Sequence, residues 1–177
     1  LHEMENPQFN YAENFEVHWH PIPYLSHTGL VYLLRFAFPL FVANKVALSI
    51  YAVLLPVSVF YFLASIDRSK LVYGFLAFLL VLNWPLFRGY HNYCLGLPIF
   101  FFTFGYWYKH YGVWNVLSFA WMMVLATLCY FSHRFIFLML GFTLSIAYLH
   151  QHRRIGGYLG NVILPLVPAM LLFLDYV

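Results

Sequence analysis

The chain has 177 residues, 63% of them hydrophobic and 8% charged, with nine Lys and Arg against six Asp and Glu for a net charge of +3. A water-soluble domain carries about 25% charged residues, so this composition excludes an ordinary soluble protein and indicates an all-α, polytopic helical membrane protein. Aromatic residues make up 23%, and Trp and Tyr favour the membrane interface, where an apolar ring carries a wet polar tip.

Residues 1–26 read as a polar, acidic and aromatic loop. Glu3, Glu5, Glu13 and Glu16 are the only glutamates, and all precede the first hydrophobic run. The chain opens on Leu1 with no basic region and apolar core ahead of the loop, so the loop does not read as a signal peptide. Because "LLFLDYV" is still apolar where the sequence stops, the expectation is a segment of a longer protein, cut at both ends. "HPIPYL" is a rigid approach to the membrane, since each proline disfavours helix in the residue before it.

Residues 27–45 form a juxtamembrane helix. The run His27 to Ala43 is apolar but holds Arg35 at its middle and Pro39 near its end. A charge at mid-bilayer costs about 2.5 to 3.5 kcal/mol, which favours an interfacial or re-entrant helix over a span.

Residues 46–177 form the transmembrane domain. A bilayer core of about 30 Å needs roughly 20 helical residues, and six runs meet that need: Ala47–Ile66, Leu71–Phe87, Cys94–Tyr108, Trp114–Phe131, Phe135–Leu149 and Tyr158–Val177. Alternating passes put the N-terminal loop, "RGYHNY" and "SHR" on one face, with "DRSK", "KHYG" and "HQHRR" on the other. The second face holds Arg68, Lys70, Lys109, Arg153 and Arg154, which makes it cytoplasmic by the positive-inside rule. Histidines among the arginines of "HQHRR" therefore belong to topology and anionic headgroups, not to a metal site.

Four clusters carry candidate chemistry on the first face. Clustered carboxylates bind hard divalent cations through oxygen or act as a general base, which makes Glu3, Glu5 and Glu13 candidates; a solvated acidic leader has the same composition. His18 and His20 flank Trp19, so in an extended segment both rings share a side and suit a metal, although two interfacial histidines beside a tryptophan read identically. Arg88, His91 and Asn92, with Asn83 just before them, gather guanidinium, imidazole and amides suited to phosphate or sugar oxygens; they equally suit helix caps. His133 and Arg134 repeat the theme at the next turn, where Arg134 also has the reach to snorkel to headgroups. Cys94 and Cys129 lie in or beside apolar runs without metal-ligand spacing and read as inert buried thiols. No phosphate loop, dinucleotide fingerprint, nucleophile elbow or zincin helix is present.

The stretches "NFEVHWHPIPYLSHTGLVYLLRF", "LNWPLFRGYHNYCLGLP" and "YFSHRFIF" resemble, in order and spacing, the integral membrane glycosyltransferases of the GT-C superfamily, over roughly Glu3 to Leu149. The resemblance implies transfer of a sugar from a polyprenyl-phosphate donor to an acceptor at the outer face of a prokaryotic plasma membrane. It implies a catalytic carboxylate in the first outer loop, for which Glu3 is the nearest match. Arg88, His91, Asn92, His133 and Arg134 would bind the lipid phosphate and sugar, and Glu5, Glu13, His18 and His20 would hold a divalent Mg or Mn. Expected partners are membrane lipid, the lipid-linked sugar and other membrane proteins, with no nucleic acid among them. The competing expectation is a non-enzymatic membrane subunit or scaffold within a larger complex.

Overall fold

The computed structural model describes residues 22–152 and 157–176, and every regular element among them is helical. Helix α1, Ser26–Leu34, has nine residues. At 1.5 Å per residue it is about 13 Å long, under half a bilayer core, so it does not cross. It stops well short of the expected Ala43 because Pro39 follows. Pro39 takes φ −55° and ψ 150° as the N-cap of α2, Leu40–Ile66, and a proline lacking its N–H starts a helix far more readily than it continues one. The first long helix therefore begins seven residues earlier than Ala47 and leaves Arg35 exposed in the intervening turn.

The expected span Leu71–Phe87 is a composite. Asp67 caps a 3₁₀ segment, Arg68–Phe75, by accepting the Ser69 N–H, and α3, Leu76–Val81, continues it. The helix breaks at Leu82, then Asn83 starts the short α4, Trp84–Phe87, by accepting the Leu86 N–H at 2.9 Å. Two local preferences set the break: Asn favours the N-cap, and Pro85 has no N–H to give to a preceding turn. Gly89, at φ 80°, then takes the left-handed conformation that sends the chain into α5, His91–His110.

Helix α6, Val116–Ser132, opens with a reciprocal cap between Asn115 and Ser118. Helix α7, Arg134–His152, follows after one residue, and a π-helical turn, Leu159–Ile163, leads into α8, Leu164–Tyr176. Among the described residues three helical runs are long and apolar enough to cross a membrane, namely Leu40–Ile66, Arg68–Phe87 and Arg134–Gln151.

Helix directions follow from the contacts. Tyr51 of α2 clusters with Cys94 and Leu95 of α5, while farther along Phe62 stacks on Phe104 at 4.9 Å and Lys109 lies over Tyr61 at 4.5 Å, so α2 and α5 run parallel. Thr103 of α5 meets Cys129 of α6 at 3.5 Å, antiparallel. Tyr130 donates to the Leu172 carbonyl at 2.9 Å and Trp114, just before α6, donates to Asn161 at 2.9 Å, so α6 and α8 run parallel. The starts of α1, α2, α5 and α7 consequently share one end of the bundle with the last turns of α6 and α8. Asp67, Lys109 and Gly112 lie at the opposite end.

Helix α5 is the hub. Its side toward α6, α7 and α8 feeds a core containing Trp107, Met122, Tyr130, Ile136, Leu140, Leu144 and Val162, all buried. Between helices in lipid, packing and hydrogen bonds replace the hydrophobic drive, and small residues permit close approach. Gly105 meets α2 and Gly96 meets α7: an added Cβ would fall 3.0 Å from the Phe62 Cα and 3.0 Å from Ile136, respectively. The thiols of Cys94 and Cys129 are buried and free, as their apolar settings led one to expect.

Candidate functional site

The site candidate is the bundle end where α1 docks. Leu25 donates its N–H to the Phe131 carbonyl at 2.8 Å, at the last turn of α6. The Asn92 side-chain oxygen accepts both the His27 N–H at 2.7 Å and the Ser26 hydroxyl at 3.2 Å. An amide from α5 thus does for the first turn of α1 what a local cap would, since Leu25 at the N-cap position supplies no side-chain acceptor. Asn92→Ala is expected to weaken α1 docking by about 1 to 2 kcal/mol, read as faster amide exchange over residues 22–34 with α6 unchanged; equal exchange in both proteins would show that the cap is dispensable.

Just ahead of α1, Tyr24 holds φ at 73°, a conformation costing a non-glycine residue about 1 kcal/mol or more. That geometry turns its ring edge-on to His133 at 4.7 Å and brings its hydroxyl to 3.4 Å from the Arg134 Nε–H. Tyr93 closes on the other edge of His133 at 5.4 Å. The Phe135 N–H donates to His133 Nδ1 at 3.2 Å, which places the proton of the neutral ring on Nε2. Burial, with Arg134 adding to it, holds the His133 pKa below the ordinary 6.5, so the ring is neutral at pH 7.

On the other side of α1, the His27 and His91 rings face each other with centroids 4.6 Å apart. Of the five residues expected to bind substrate, His91, Asn92, His133 and Arg134 are therefore gathered by one short segment, Tyr24 to His27. Arg88 stands apart, exposed and stacked over the Trp84 ring at 4.8 Å. Asn83 acts inside the fold: besides capping α4 it donates to the Tyr51 hydroxyl at 2.9 Å, tying α2 to the break before α4. Glu3, Glu5, Glu13, His18 and His20 lie outside the described residues. Among the described residues no group of three or more His, Cys, Asp or Glu side chains is placed to hold a metal ion.

Beneath the polar cluster runs an apolar groove of about 460 Å³ between α1, α2, α5 and α6, lined by Leu25, Gly29, Leu30, Leu33, Leu54, Ile99 and Phe131 among others. Ser26 and Ser132 sit on its wall, one bonded to Asn92 and the other next to His133. Headgroup-binding chemistry and an apolar slot are thus contiguous.

A second polar node, at the opposite end, escaped the sequence reading. Asn161, in the π-helical turn, accepts the Gly112 N–H at 2.7 Å and the Trp114 indole N–H at 2.9 Å through its side chain, and donates to the Gly157 carbonyl at 2.9 Å. Its own carbonyl accepts the Trp107 indole N–H at 2.7 Å. A lone amide inside "YLGNVILP" carries the same polar-in-apolar signal that singles out Asn83.

Compared with known protein families, with curated proteins and with solved structures, the chain matches none.

Proposed function

We propose that the chain is part of a multi-pass membrane glycosyltransferase of the GT-C kind, which moves a sugar from a polyprenyl-phosphate donor to an acceptor hydroxyl. The single observation that supports it most is the contiguity of His133, Arg134, His91 and Asn92 with an apolar groove of about 460 Å³. A polyprenyl phosphate is amphipathic in the same way: an anion at one end, hydrocarbon behind it. The end carrying this cluster faces outward in the reading, because Arg68, Lys70 and Lys109 at the opposite end, with Arg153 and Arg154 after α7, favour the cytoplasm.

In this reading a carboxylate of the N-terminal loop, with Glu3 the first choice, takes the proton of the acceptor hydroxyl. The acceptor oxygen bonds the sugar's anomeric carbon as the bond from that carbon to the phosphate oxygen breaks. Arg134 and the Nε2–H of His133 stabilise the charge arriving on the departing lipid phosphate, which is where positioned cations and donors lower a barrier. Arg88, exposed and held over Trp84, extends the cationic rim. A divalent Mg or Mn would be held, in the same reading, by carboxylates and imidazoles of the loop, and would add further charge stabilisation.

The test is transfer of a labelled sugar from a synthetic polyprenyl phosphate by the full chain in lipid nanodiscs. Glu3→Gln, Arg88→Ala and Arg134→Ala should each lower the rate by more than about tenfold, roughly 1.4 kcal/mol of transition-state stabilisation, with unchanged helical circular dichroism. Wild-type rates in all three would remove the site, and a wild-type protein that neither binds nor turns over the donor would remove the function. The second reading, a non-enzymatic subunit, is favoured by one feature: Val72, Phe75, Leu76, Phe78, Leu79 and Leu80 turn an exposed apolar face outward along 68–81. It expects co-purification within a larger complex from native membranes and no donor binding.

A further inference from the structure

The first turn of α1 rests on two histidines, His27 and His91, and the setting of His27 disfavours its charged form. His27 Nε2 is buried and has no hydrogen-bond partner. For a neutral imidazole that is an unmatched lone pair; for an imidazolium it would be a charged N–H with no acceptor, a far costlier omission. The His91 ring lies 4.6 Å away, and His27 is the second residue of α1, where the exposed N–H groups of a helix start also repel positive charge.

Among the described residues the neighbours offer no negative partner. Helix α2 presents the neutral Asn44 and, next to it, Lys45, whose ammonium is held over the Phe41 ring at 4.3 Å. Helix α5 presents His91 and Asn92, and the α6–α7 turn presents His133 and Arg134 through Tyr24. Helix α1 itself ends at the cation Arg35. Among the described residues the carboxylates are Asp67, at the far end of the bundle, and Asp175, exposed near the end of α8.

We propose that α1 is a pH-released strap: protonation of His27, buried against the His91 ring, drives the first turn of α1 off Asn92 and uncovers the apolar groove that α1 walls. Leu25, Ser26, Gly29, Leu30 and Leu33 all line that groove, so their displacement opens it along its length. Among the described residues the strap is held by the Asn92 cap, the Leu25 bond to Phe131, Tyr24 against His133 and Arg134, and Leu30 against the Tyr51 and Leu55 cluster. The direction agrees with the His27 pKa, which burial first and His91 second hold below the ordinary 6.5, against a smaller opposing pull from Asn44. Released α1 takes up the proton at the ordinary value while docked α1 resists it. Docking is therefore at full strength above about pH 6.5 and weakens as pH falls below it. The inference does not depend on the transferase reading.

Amide exchange of the full chain in nanodiscs, corrected for the intrinsic pH dependence of exchange, tests it at pH 7.5 and 5.5. Protection over residues 22–34 should fall at the lower pH by up to about tenfold, the limit for a released strap that takes up one proton one pH unit below the ordinary 6.5, while α6 and α8 stay protected. His27→Gln should abolish that fall, and His91→Gln, which keeps His27, should reduce it, so the test survives if either variant folds poorly. Equal protection at both pH values would overturn the proposal. So would an undiminished fall in His27→Gln. Glu3, Glu5, Glu13 and Glu16 precede the strap, and a glutamate that reached His27 would retain its proton and produce the first of those overturning results.

Discussion

Gly105→Leu is expected to separate α2 from α5 and to cost the protein about 3 kcal/mol or more, the upper part of the range for overpacking. At Gly105 a Cβ alone would sit 3.0 Å from the Phe62 Cα and 3.0 Å from the Tyr61 ring. The first of these obstacles is helix backbone, which cannot swing away as a side chain can. The remaining leucine atoms would have to force the two helix axes apart, dismantling the Phe62 stack on Phe104 and the Lys109 contact with Tyr61 along the same seam. Gly105→Ala should cost less, about 1 kcal/mol, because a shift of a few tenths of an ångström relieves it. Gly141 is the control: its added Cβ meets Leu166 at 3.7 Å, an ordinary contact, so Gly141→Ala should be neutral or stabilising by a few tenths of a kcal/mol, alanine being the better helix former. Unfolding in a denaturing detergent series measures all three. A leucine variant as stable as Gly141→Ala would show that the seam is not close-packed.

Asn161→Ala should cost about 2 to 3 kcal/mol and loosen the loop between α5 and α6. The substitution strips the acceptor from the Gly112 N–H and from the Trp114 indole, and removes the donor to Gly157. Each bond is worth roughly 1 kcal/mol, and a donor left without water costs more. Trp107 keeps its bond, because that one goes to the Asn161 backbone, so the core beneath should hold while the loop frays. Asn161→Asp retains the acceptor oxygens and should recover part of the loss. The measurement is unfolding free energy together with Trp114 fluorescence. An alanine variant with native stability and an unshifted spectrum would rule out this node as a clamp.

The helical class was legible in composition alone, because 63% hydrophobic and 8% charged residues leave no means of covering a soluble surface. The shortness of the first helix was legible too: Arg35 argued against a span, and α1, with nine residues, is too short to be one. Its end was not, because hydropathy alone does not weigh Pro39, whose effect is on the backbone. The composite run 68–87 is legible in part: Asn83 and Pro85 mark its break in the sequence, while nothing in hydropathy marks its 3₁₀ start. At the site, the sequence supplied the residues but not the partner. Nothing in "PYLSHTG" signals that Tyr24 and His27 would bridge turns 65 and more residues away, since such pairing is a property of packing. Asn92 illustrates the reverse, a residue chosen for its ligand chemistry whose oxygen is committed to holding α1.

The parallel course of α2 and α5 also fixes an order of assembly. Two adjacent helices of the same polarity cannot be joined by a tight turn, so the chain must complete the return run 68–87 before α5 exists. During synthesis α2 is therefore complete before its partner exists, its aromatic face around Phe62 and Tyr61 waiting about forty residues for Gly105. The return run packs on α2, through Phe75 against Phe60 and the Val81 carbonyl on the Tyr51 hydroxyl, but keeps most of its own side chains outward. A ribosome stalled between Gly89 and Gly105 would hold α2 and the return run without the partner across the Gly105 seam, and would leave that aromatic face uncovered.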